Sequence, residues 1–250
     1  MIFTIARREF QSLFLSPLAW SVLAVIQFIL AYLFLTQIET FIAFQSRLAQ
    51  ISHAPGITDI IVAPLFSNAA VILLLVTPLL TMRTLCEERR NKTLTLLLSA
   101  PLSTTDIVLG KYLSIIGLLT CIVAMTGLMS LALLFGGELD FGKWFCNLLG
   151  LLLLTAAFAA LGLYLSSLAS HPTIAAIGSF GLLLLLWIID WKAGLKNQSS
   201  DVLEYISMLR HFQNLQSGLL DSQDVLYFVL FCATFLILSI FRLEYERLQK

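Results

Sequence analysis

The chain has 250 residues, of which 59% are hydrophobic and only 12% charged, with a mean hydropathy of +0.93. That balance excludes an ordinary soluble domain, whose charged fraction is about twice as large, and a formal net charge of zero excludes a basic nucleic-acid binder. The four cysteines, Cys86, Cys121, Cys146 and Cys232, show neither C-x-x-C nor metal-ligand spacing, which argues against a disulfide framework.

Met1–Ser16 reads as an amphipathic helix. Phe3, Ala6, Phe10, Leu13 and Phe14 fall on one face, and Thr4, Arg7, Arg8 and Gln11 fall opposite. Such a stripe, with basic residues on its polar side, suits a helix lying in the membrane interface. Pro17 ends it, because the residue before a proline disfavours the helical region.

Six stretches then carry no charged side chain: Leu18–Ile38, Pro64–Met82, Tyr112–Phe135, Trp144–Ser167, Pro172–Ile189 and Val225–Phe241. Each comes near the roughly 20 apolar residues that cross about 30 Å of hydrocarbon. The first follows Arg7 and Arg8, as a cleavable leader would. It is too long for a leader's apolar core and no small-x-small site follows, so it counts as the first span. From Trp144 to Ile189 there is no charge at all, and His171-Pro172 is the break that turns this run into a helical hairpin.

Six spans place both termini on one side. That side holds ten Lys and Arg residues and the other five, so the positive-inside rule makes the termini cytoplasmic. On the far side, Glu39–Ala63 continues a helical stripe through Phe41, Phe44, Leu48 and Ile51, then breaks at Pro55-Gly56. Trp191–Asp224 carries a second apolar helix, with Ser200 as a candidate N-cap and Val202, Tyr205, Ile206 and Leu209 on one face. Asp221 or Ser222 caps the last span.

The densest charge lies between spans two and three, in CEERRNKTLTLLLSAPLSTTDIVLGKYL. Cys86 to Lys92 is polar, Leu94 and Leu96 to Leu98 are apolar, and Pro101 breaks the chain. Ser103-Thr-Thr-Asp106 reads as a capping box with Asp in place of Glu, starting a helix that runs through Gly110-Lys111 into span three. On composition alone, such a charge run beside a span also fits a simple topology anchor.

This segment resembles the cytoplasmic loop of ABC-2-type permeases. Glu87, Glu88, Thr93, Leu94, Leu97, Leu98, Pro101, Gly110 and Lys111 fit that pattern; Asn91-Lys92 stands where the family often has Gly before Thr-Leu. A second stretch, Ser207 to Phe228, is similar to the far-side segment of the gliding-motility-associated (GldF-type) permeases and of the permease of nitrous-oxide-reductase maturation. The matching positions there are His211, Phe212, Gly218, Asp221, Asp224, Tyr227 and Phe228.

The resemblance implies an all-α integral membrane protein, a single transmembrane domain over residues 1–250. Its six transmembrane helices would be joined by an N-terminal interfacial helix (1–16), a cytoplasmic coupling helix between spans two and three, and short far-side helices between spans five and six. It implies a multi-pass permease of the bacterial inner membrane that works with two copies of an ABC ATPase subunit. A second permease, as homodimer or heterodimer, would complete it, and a protein with a large periplasmic domain is a further partner such permeases can have. Glu87, Glu88, Arg89, Arg90, Thr93, Leu94 and Pro101 would face the ATPase; Asp106, Gly110 and Lys111 would pass motion to span three. His211, Phe212, Gly218 and Asp221 would form a far-side gate or docking surface. ATP and Mg would be bound by the ATPase partner, with no cofactor or metal in this chain.

Other chemistries fit less well. No P-loop is present, because Gly110-Lys111-Tyr112 lacks the upstream Gly and the following Ser or Thr. Glu87-Glu88 with Lys92 departs from the EExxxR signature of intramembrane CAAX-type proteases, and the histidine motifs those enzymes need are missing from the spans. His53, His171 and His211 are scattered over different loops and suggest no metal site. Polar residues within the spans, such as Gln27, Asn68, Thr77 and Asn147, are not ionisable, which disfavours an ion or sugar pathway. Three functions therefore stay open: an exporter of lipid or amphipathic cargo, a transmitter of ATP-driven motion to a partner, and a passive membrane scaffold.

Overall fold

The computed structural model describes residues 1–48, 56–90, 103–135, 139–189 and 206–248, and within them the chain is helical throughout. Helix α1 spans Ile2–Leu15 and α2 Pro17–Leu48. A π-helical turn, Thr58–Val62, leads into α3, Ala63–Thr81, and a short turn joins that to α4, Cys86–Arg90. Helix α5 is Thr104–Leu131, extended by a 3₁₀ turn at Ala132–Phe135. Then come α6 (Phe141–Leu168), α7 (Pro172–Ile188), α8 (Met208–Gln216) and α9 (Ser222–Leu248).

Five helical segments have the length and apolar composition to cross a membrane: Ala19–Ala43, Thr58–Arg90, Thr104–Phe135, Phe141–Leu168 and Ser222–Leu248. All five are longer than the charge-free stretches expected, because each helix continues past its apolar run into polar residues at one end or both. The expected fifth span is α7, whose 17 residues rise about 25 Å, a little short of a hydrocarbon core of about 30 Å.

Helix ends follow local chemistry. Ser103 caps α5, its Oγ accepting from the Asp106 amide at 3.1 Å. Asp140 caps α6, its Oδ1 accepting from the amides of Gly142 and Lys143 at 2.9 and 3.2 Å. The Asp221 carboxylate accepts from the Gln223 amide at 3.1 Å and so opens α9, as expected. Helix α8 starts at Ser207, whose Oγ accepts from the Arg210 amide; the expected cap Ser200 lies outside the described residues. The break at His171-Pro172 stands as expected, with proline in the first turn of α7, where its missing N–H is not needed.

Helix α6 is the centre of the bundle. Of its most apolar stretch 61% is buried, against 22% for α2 and 17% for α9, which form outer walls. Its buried face runs through Leu151, Leu154, Phe158 and Leu161, and small residues let neighbours approach closely, as membrane helix packing requires. Among the described glycines the tightest position is Gly162, where a Cβ would lie 2.2 Å from Thr81 Oγ1 and 2.8 Å from Thr81 Cβ on α3. Thr81 cannot easily yield, because it is buried and its hydroxyl donates to the Thr77 carbonyl at 3.0 Å. Gly162→Ala should therefore push α3 and α6 apart and destabilise the bundle by about 1–3 kcal/mol. Thermal unfolding in detergent measures this, and an unchanged midpoint would refute so close a crossing.

Candidate functional site

The antiparallel run of helices gathers charge at two ends of the bundle. One end holds α4, the start of α5, the α6–α7 turn and the last turns of α9. The turn from α3 into α4 exposes backbone groups that no helix ladder satisfies. Ser166 of α6 supplies them: its hydroxyl accepts from the amides of Leu85 and Cys86, both at 3.3 Å, and donates to the Met82 carbonyl at 3.2 Å. One buried serine thus fixes the direction in which α4 leaves the bundle.

Arg89 extends that anchorage. Its guanidinium donates to the carbonyls of Ala169 at 2.9 Å and Ser167 at 2.6 Å, covering carbonyls at the C-terminal end of α6 that lack a partner in the helix itself. It also pairs with Glu246 near the end of α9. The planar fork of arginine allows three acceptors from two helices to be held at once.

Lys111 is the second node. It is only 3% exposed, and its ammonium lies 2.7 Å from Glu88 on α4 and 3.3 Å from Glu9 on α1. Three elements therefore converge on one buried cation. Two glycines bring α1 this close to α5: a Cβ on Gly110 would sit 2.7 Å from Ile5 Cγ2, and one on Gly117 2.8 Å from Phe10 Cε2. Helix α1 itself buries no residue fully, consistent with a surface helix docked by one side.

The residues expected to meet an ATPase divide in two. Glu87 and Arg90 are exposed, whereas Glu88 and Arg89 turn inward because Lys111 and the α6 carbonyls take up their charges. Thr93, Leu94 and Pro101 lie outside the described residues. Asp106 sits in the first turn of α5, half-buried, and Gly110 and Lys111 are buried against α1 and α4.

The opposite end joins α8 to α6 and α9. His211 Nδ1 lies 2.5 Å from Asp224 Oδ1, and the imidazole stacks on Tyr227 with ring centroids 4.1 Å apart. Both members of the pair are almost fully buried, and Tyr227 donates through its hydroxyl to the Ile206 carbonyl at 2.7 Å. Phe212 is fully buried against Gly150 of α6. Gly218 has φ +88°, a left-handed conformation that ends α8 and that side chains with a Cβ resist. Asp221 is exposed, with the capping role already given. Beside them Lys143 pairs with Asp59 at 2.9 Å, and Gln216 accepts from Ser67 at 3.0 Å and donates to the Ala63 carbonyl at 3.2 Å.

Sequence reasoning did not find Ser166, Glu9, Glu246 or the Asp59–Lys143 pair. Ser166 is one of many small polar residues in an apolar run, and the acidic partners lie far away in the chain, so no local signal marks them. Among the described residues, no group of three or more His, Cys, Asp or Glu could hold a metal ion. The family model described as ABC-2 family transporter protein matches residues 3–248. No curated protein matches the chain.

Proposed function

Because this chain belongs to the ABC-2 family of transporter membrane proteins, we propose that it is a permease subunit driven by a separate ATPase through the segment that begins at α4. The observation that carries this reading is the pair of nodes at Lys111 and Arg89. Between them α4 is tied to α1, α5, the α6–α7 turn and α9. A load on its exposed side, at Glu87 and Arg90, would reach nearly the whole bundle through charged contacts in a low-dielectric setting. A passive topology anchor needs no such internal wiring.

In this reading Glu87 and Arg90, with Thr93, Leu94 and Pro101, meet the ATPase. Glu88, Arg89 and Lys111 pass its motion inward, and Asp106 and Gly110 lie at the start of the helix that receives it. ATP and Mg belong to the ATPase, present in two copies, and a second permease, identical or related, completes the assembly. The termini face the cytoplasm from a bacterial inner membrane.

What supports six crossings is the path of the chain. It enters α7 beside Arg89 and Glu246, and α8 next lies at the Asp59–Lys143 end, so the short α7 carries it across. The packed cluster of His211, Phe212, Tyr227 and Asp224 supports a built far-side element, a gate or a docking surface, as in the gliding-motility-type permeases. The absence of ionisable residues within the apolar core of the spans favours work on a partner over passage of a hydrophilic cargo.

The test is a detergent pull-down of the tagged chain with mass spectrometry, comparing the parent with a Glu87→Lys, Arg90→Glu variant. Reversing these two exposed charges leaves the Lys111 node intact. Recovery of a P-loop ATPase should fall by about tenfold, the effect of some 1.4 kcal/mol in docking. Equal recovery would place the docking surface elsewhere, and no ATPase with either chain would remove the transporter reading.

A further inference from the structure

A cavity of about 300 Å³ opens at the charged end between α1, the start of α2, the α3–α4 turn and α5. Its walls differ in character. Leu13, Ala19, Leu79 and Leu80 form an apolar side, with Leu79 54% exposed, while Glu9, Arg83, Glu87, Glu88 and Lys111 form a charged side. Such walls suit a ligand that is apolar at one end and carries charge of both signs at the other. In a membrane protein, a pocket at the level where charged helix ends meet apolar spans is at headgroup depth.

Its charge narrows the choice. Among the described lining residues, two cations face three carboxylates, leaving one net negative charge. Lys111 is buried and already bound to Glu9 and Glu88. Arg83 and Glu87 are different: each is about half exposed, and they are paired only loosely at 3.5 Å, an arrangement that holds little energy and opens readily. The pair therefore offers one guanidinium and one carboxylate side by side, a match for a phosphate and an ammonium on the same molecule.

We propose that this cavity binds the headgroup of a zwitterionic phospholipid bearing a primary ammonium. The phosphate lies on Arg83, the ammonium on Glu87 and Glu9, and the acyl chains leave past Leu79. A net anionic lipid is disfavoured by the excess carboxylate. A quaternary ammonium fits the charge but has no N–H to donate, so the carboxylates discriminate against it. Bound there, the lipid would bridge α1 to α4, and membrane composition would set how firmly that segment is held.

The test uses the purified full chain in detergent with an equimolar mixture of phosphatidylethanolamine, phosphatidylcholine and phosphatidylglycerol of matched acyl chains. Retained lipid is counted by native mass spectrometry. We expect one phosphatidylethanolamine held with roughly tenfold preference over either competitor. Glu87→Gln should reduce that preference to about twofold, and Arg83→Gln should weaken retention of both zwitterionic lipids together. Both side chains are exposed enough for the variants to fold, which unchanged thermal midpoints would verify. Equal retention of phosphatidylglycerol, equal retention of phosphatidylcholine, or full preference in Glu87→Gln would each overturn the proposal. The assay contains no ATPase, so its failure and failure of the coupling reading are separate results.

Discussion

Lys111→Met should destabilise the folded bundle by about 3 kcal/mol, lowering its thermal midpoint in detergent by about 6–12 °C. Methionine keeps the length and fills the apolar part of the site, so little packing is lost. What is lost is the cation that, among the described residues, lies between Glu88 and Glu9. Their side chains are 24% and 34% exposed, so water relieves some of the penalty; two carboxylates facing one another still repel and stay partly desolvated. The effect therefore falls near the lower end of what breaking a fully buried pair costs.

A compensating change separates charge from packing. If the Glu88 carboxylate bears most of the penalty, Lys111→Met with Glu88→Gln should regain more than half of the loss, because the two sites share one interaction and are not additive. On the proposed coupling reading, the double variant should be uncoupled from the ATPase even though stable, since among the described residues the Glu88–Lys111 pair is the charged contact that joins α4 to α5. A midpoint within about 2 °C of the parent in Lys111→Met would mean that the node carries no mechanical or energetic role.

His211→Phe should cost about 3 kcal/mol at the opposite end. Phenylalanine preserves the stack on Tyr227 and much of the volume, but the Asp224 carboxylate, 3% exposed, loses its nearest partner. The Asn214 amide at 3.4 Å is a long contact and cannot replace it. Asp224→Asn should cost far less, about 1 kcal/mol, because it leaves a neutral amide beside the imidazole. Thermal unfolding of both variants and of the double variant His211→Phe, Asp224→Asn tests the ordering. If Asp224→Asn proved the more damaging, the pair would not be held together by the carboxylate's need for a partner.

These predictions could not have been framed from the sequence, although much of the fold could. The membrane class, the helix-rich architecture and the capped start at Ser103 were legible, as were the His171-Pro172 break and the Asp221 cap. Each depends on residues within a few positions of one another. Runs of apolar residues must be helical in hydrocarbon because every backbone group has to be satisfied within its own segment, and caps reach only two or three residues along the chain. The termination of α8 at Gly218 is equally local in cause, one residue adopting a positive φ, although from the sequence that position reads only as part of a gate or docking surface.

What only the tertiary structure decided was which faces meet and which charges pair. A spanning helix is apolar toward lipid and toward its neighbours alike, so its pattern does not say which side packs. The central place of α6, and the crossing at Gly162 against Thr81, followed from packing alone. Ion pairs are similarly silent in one dimension. Lys111 finds Glu9, 102 positions away, and Arg89 finds Glu246, 157 positions away. Their energies depend on distances and desolvation that exist only once the helices are assembled. The residues that bear charge were visible in the chain; which of them face outward and which hold the bundle together was set by the packing of α1, α4, α6 and α9.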